Sequence, residues 1–111
     1  MQIAQEILRQ LGGQGRLKAM IAAKNFVAVS AGNQPANGLQ FQFMKGKDGV
    51  NMVVIRLNGD DLYDVEFLAV RGVKFRPVAV RNNLFFDQLE AAFWDIAGLA
   101  IRLPRVVGVN A

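Results

Sequence analysis

Apolar and polar positions recur along this chain with two different periods, and the periods locate its elements. Ile3, Ile7, Leu8 and Leu11 are spaced i, i+4, i+5 and i+8, one face of a short helix. Gly12-Gly13 stops it, because glycine takes the left-handed conformation that a C-terminal cap needs. The next stretch, QGRLKAMIAAK (14–24), has no clean period and reads as a loop or an irregular strand. NFVAV (25–29) is the first clear strand, followed by the turn cluster SAGNQPANG (30–38). LQFQFM (39–44) alternates strictly, with Leu39, Phe41 and Phe43 on one side and Gln40 and Gln42 on the other, as a half-buried strand does. KGKDG (45–49) turns the chain. NMVVIRL (51–57) then sets Val53, Ile55 and Leu57 inward and Arg56 outward.

Asn58-Gly59 predicts a tight hairpin, since both residues tolerate positive φ. Beyond it Tyr63, Val65 and Phe67 face one way, and Asp64 and Glu66 the other. Arg71-Gly72 reverses the chain into VKFRPVAV (73–80), where Pro77 places the strand at an edge or a bulge. Asn82 or Asn83 can cap a closing helix in which Phe86, Leu89, Phe93 and Ile96 repeat at helical spacing and which Gly98 can end. The expected architecture is a single α+β domain over residues 1–99, an antiparallel sheet of about five strands flanked by an N-terminal and a C-terminal helix. Residues 100–111 read as a tail.

Several strings taken together carry a resemblance. AQEILRQLGG (4–13), AKNFV (23–27), LNGDDLYDVEF (57–67) and DQLEAAFWDIAGL (87–99) resemble, in order, small uncharacterised proteins encoded by bacteriophages and other mobile elements. The chain departs from that pattern at Ile21 and Ala22, where the resembling proteins carry threonine and glycine. It departs again after Gly98-Leu99, where AIRLPRVVGVNA replaces an aromatic, hydroxyl-rich tail. The resemblance implies a phage or prophage accessory protein in the cytoplasm of a bacterial host. It transfers no activity and no residue role.

Composition narrows the chemistry. The 111 residues contain no cysteine, no histidine and no threonine, and Ser30 is the only serine. Disulfides, thiolate ligands, histidine bases and histidine-dependent triads are therefore absent. Ser30 has no activating base in view and reads as a turn residue. The chain is expected to be non-enzymatic and free of cofactors. No signal-peptide pattern opens it, and no run reaches the roughly 20 apolar residues of a spanning helix, so a membrane is not an expected partner.

Thirteen Lys and Arg against nine Asp and Glu leave a net charge of +4, which permits a polyanionic partner without establishing one. Lys45, Lys47, Arg56, Arg71, Lys74 and Arg76 are the candidate nucleic-acid contacts, a patch on one sheet face if Arg56, Lys74 and Arg76 share it. The competing expectation sets Lys74 and Arg76 beside Asp64 and Glu66 as cross-strand ion pairs, cancelling the patch. The carboxylates Asp60, Asp61, Asp64 and Glu66 are a solvated face, a partner surface, or less readily a Mg²⁺ site. Trp94 follows Phe93 on the closing helix, and the two cannot both face the core. Trp94 with Asp64 and Glu66 is thus the candidate protein contact, for a module that inhibits a host enzyme or defence system. Nucleic acid, a host protein and a second copy of the chain all stand as candidate partners, nucleic acid first.

Overall fold

The period-two stretches build the sheet. The computed structural model of the chain describes residues 2–30 and 36–102. Five strands, β1 (Lys24–Val29), β2 (Gly38–Gln42), β3 (Met52–Leu57), β4 (Tyr63–Arg71) and β5 (Lys74–Leu84), lie side by side in chain order. Each is antiparallel to its neighbour. Register pairs Phe41 with Val53 and Val53 with Phe67, so the alternating apolar residues of three strands form one continuous row. The fold is α+β, with helices at both ends of the chain, as the pattern predicts.

Helix α1 (Gln2–Gln10) buries Ile7, and Leu11 just beyond it, against this row. The next segment differs from expectation. It is a second helix, α2 (Gly13–Ile21), whose fully buried residues are Leu17 and Ile21. Two buried residues at i, i+4 among glycines and polar residues leave too short a signal to separate helix from loop. The helix ends with Ala22 at φ 56°, where its N–H donates to the carbonyl of Lys18 and that of Ala23 to the carbonyl of Leu17. This is the double closure for which glycine is usual.

The closing helix enters through a 3₁₀ turn (Phe86–Gln88), continues as α3 (Leu89–Ala92) and widens into a π-turn (Phe93–Ala97). Asn82 and Asn83 do not cap it, because β5 runs on through both of them. The Gln88 side chain accepts the Phe85 N–H at 2.7 Å instead. Gly98 does end the helix, at φ 68°. The Phe93 ring lies 5.1 Å from Phe67 and 5.7 Å from Phe43, at the centre of the core. Ile101 is buried and Leu99 packs beside it, while the Arg102 carbonyl accepts a bond from the Arg16 Nε at 3.0 Å. Thus residues 99 to 102 return to the domain. Residues 103–111 of the expected tail, and 31–35 of the turn cluster, lie outside the described residues.

Two turns decide where charge goes. Between β3 and β4 the positive φ falls on Asp61 (60°), not on Asn58 or Gly59. The Asn58 carbonyl accepts the Asp61 N–H, and its side-chain oxygen accepts the N–H groups of Asp60 and Leu62. The connection is therefore a longer loop wrapped around one asparagine side chain, not the two-residue turn expected there. Between β4 and β5 a true two-residue turn, Gly72-Val73, puts Gly72 at φ 62° and sets Arg71 opposite Lys74. β5 is an edge strand, and its register shifts beside Pro77, as a proline inside a ladder requires.

Candidate nucleic-acid interface

The tight turn at Gly72-Val73 makes the β4–β5 hairpin end a cluster of cations. Arg71 faces Lys74 and Ala69 faces Arg76 across the two strands. Ala69 lies two residues from buried Phe67, so it and Arg76 share the sheet face that carries the helices. Against that face comes the turn after β2, where Asp48 and Gly49 both take positive φ (57° and 77°). One Arg76 terminal nitrogen donates to the Asp48 carbonyl at 2.8 Å, tying the turn to the hairpin.

The result is a cleft of about 410 Å³ lined by Lys45, Gly49, Ala69, Val70, Arg71, Lys74 and Arg76. Four of the seven lining residues are cationic, and among the described residues no carboxylate lines it. None of the four makes an ion pair among the described residues. Cross-strand like charges such as Arg71 and Lys74 are destabilising, so this arrangement costs the hairpin a little stability.

The six predicted cations therefore divide. Lys45, Arg71, Lys74 and Arg76 come together, and Lys47 sits in the adjoining 3₁₀ turn (Lys47–Gly49). Arg56 does not join them. It faces Asp64 across β3 and β4, on the sheet face away from the helices, in a separate cleft shared with Glu66 and Val80. The expected face common to Arg56, Lys74 and Arg76 does not form. The competing ion pairs of Lys74 and Arg76 with Asp64 and Glu66 do not form either, because Glu66 faces Val80, far along the hairpin from Lys74.

The carboxylates are also separated. Among the described residues no three metal-ligating side chains converge. Asp64 accepts the Asn58 side-chain amide at 3.1 Å and the Asn83 N–H at 3.0 Å, so it fastens the long loop to β5 where Asn83 turns to φ 59°. Glu66 stands on the open sheet face beside Arg56. Tyr63, at the start of β4, donates its hydroxyl to the Gln10 side chain at 3.3 Å. Burial first, then the charges of Glu6 and Asp61, push its phenol above the usual range.

Trp94 resolves the conflict with Phe93 by pointing outward. It is 62% exposed, and Phe85 at the head of the same helix is 65% exposed. The acidic residues Asp87, Glu90 and Asp95 lie on this segment, which carries no Lys or Arg.

Two exposed apolar residues of the hairpin end were not among the candidate contacts, Phe75 because its facing was left open. Val73 at the tip is 92% exposed, and Phe75 is 56% exposed opposite Val70. The signal for Phe75 was present: a lone aromatic between Lys74 and Arg76 must face away from both. Comparison with protein families, with curated proteins and with solved structures finds no match to this chain.

Proposed function

We propose that this protein binds nucleic acid through its phosphates, with Lys45, Arg71, Lys74 and Arg76 as the contacts and Lys47 beside them. The observation that carries this reading is the cleft itself, which gathers four cations and, among the described residues, no carboxylate. Cations held together without compensating acids are a ready site for a polyanion, because phosphate binding releases condensed counterions from the nucleic acid. In the phage or prophage setting that the resemblance implies, such a protein acts as an accessory factor on nucleic acid in a bacterial cell.

The test is fluorescence anisotropy of labelled oligonucleotides with the unaltered protein and with Lys74→Glu. Reversal at Lys74 weakens binding by at least about tenfold at low salt. It also sets a carboxylate opposite Arg71, so thermal stability holds or rises. Unchanged binding in a folded Lys74→Glu protein would exclude this cleft as the contact.

A second reading rests on Trp94 and Phe85, two large exposed rings on one acidic helix. Exposed tryptophans are frequent anchors of protein interfaces. On this reading the protein is an interaction module against a basic patch of a host protein. That binding tolerates salt better than phosphate binding and fails with Trp94→Ala.

A further inference from the structure

We infer that the nucleic acid this hairpin takes is single-stranded, with Phe75 as a stacking platform for a base; the inference rests on the phosphate-binding reading above. The strand β5 is the free edge of the sheet, and its first residues are two-sided. Lys74 and Arg76 line the basic cleft on one side, while Phe75 and Pro77 follow Val70 and Leu68 on the other. Among the described residues no strand pairs beyond β5, so only the thickness of one backbone separates the cations from the exposed ring.

A single strand also has two sides, phosphates on one and unpaired base faces on the other. Draped over this edge, its phosphates meet Lys74 and Arg76 while a base lies against Phe75. A duplex keeps its base faces inside the stack and cannot use the ring in this way. Rings interleaved with cations are how sequence-tolerant single-strand binders work, and every base has a face to stack. The two-residue turn holds the ring rigidly beside the cations, because Gly72 and Val73 leave no slack between β4 and β5.

The experiment compares a labelled oligothymidylate of about 15 nucleotides with a duplex of the same length, at about 50 mM salt and with the full chain. The proteins are the unaltered chain, Phe75→Ala, Phe75→Tyr and Arg76→Glu. The expected result is tighter binding of the single strand, which Phe75→Ala weakens by roughly 5- to 100-fold, while duplex binding is unmoved and Phe75→Tyr keeps the preference. Arg76→Glu weakens both ligands. Equal affinity for the two ligands, or a single-strand preference that survives Phe75→Ala, overturns the inference but leaves phosphate binding standing. Failure of both ligands to bind overturns the phosphate reading and this inference with it.

Discussion

Replacing Lys74 and Arg76 together by glutamine leaves two of the four cations of the cleft, Lys45 and Arg71. Each phosphate contact on a single strand contributes about −0.7 to the slope of log K against log salt, so four contacts give a slope near −3 and two give about −1.4. Between about 50 and 200 mM salt, the unaltered protein should lose roughly 50-fold in affinity and the double variant only about 7-fold. Lys47, on the adjoining turn, adds at most about one further contact to both. The assay is anisotropy titration at several salt concentrations, with circular dichroism to show that the hairpin is intact. That check matters because Arg76 also donates to the Asp48 carbonyl. Arg56→Gln is the internal control, since Arg56 lies in another cleft beside Asp64 and Glu66. A slope that falls as much with Arg56→Gln as with the double variant would refute the assignment. So would a slope that the double variant leaves untouched.

Three further outcomes follow from the geometry. Asp64→Ala removes the acceptor of the Asn58 and Asn83 bonds and should destabilise by about 1–3 kcal/mol in urea melts; Glu66→Ala should stay within about 0.5 kcal/mol, and equal effects would deny Asp64 its fastening role. Ala22→Gly should stabilise by about 0.5–1 kcal/mol, because an L-residue at φ 56° is strained where glycine is not; a destabilised variant would mean that the alanine methyl contributes more than the strain. Tyr63 is the only tyrosine, so absorbance near 295 nm reads it alone, and its native ionisation should fall above the usual phenol value of about 10. The sign follows from linkage: the neutral phenol's contribution to stability is whole below the unfolded value and is lost as pH rises through the higher folded one. A native midpoint at or below about 10 would contradict the burial argument.

The sheet was legible because β2 and the first half of β4 alternate strictly, β3 between them is an apolar run rich in β-branched residues, and one buried face enforces register. Pro77 likewise announced both the edge position and the irregular register of β5. α2 was not legible, since Leu17 and Ile21 are too few to show a period and Gly13 and Gly15 weaken helix propensity. Asn82 and Asn83 are good caps by residue type, yet tertiary pairing drew both into β5. The candidate site was half legible. Arg71, Lys74 and Arg76 are neighbours in one hairpin, but the reversal expected at Arg71-Gly72 falls one residue later, at Gly72-Val73, and that turn sets Lys74 opposite Arg71 and away from Glu66. Lys45 was a candidate on charge and neighbourhood, but its position against the hairpin end was not legible: it arrives from another turn, brought in by the meander where Arg76 grips Asp48.

Net charge was therefore the wrong quantity to weigh. An excess of +4 could be spread evenly and attract nothing in particular. What the fold adds is segregation. Asp87, Glu90 and Asp95 are confined to the closing helix, and Asp60, Asp61 and Asp64 to the loop and strand at the far end of the hairpin. At the hairpin end the turn that carries Asp48 offers Arg76 its backbone carbonyl, and among the described residues no carboxylate lines the cleft. A sheet edge gains stability from cross-strand partners, and an acid at position 71 or 74 would supply one. Two cations stand there instead, at a two-residue turn that fixes them opposite each other. Such a cluster lowers the stability of the isolated protein, a cost that on the proposed reading is offset by the phosphates it binds. Lys74→Glu should therefore separate the two quantities, stability holding or rising as binding falls. A residue whose role was purely structural would move them together.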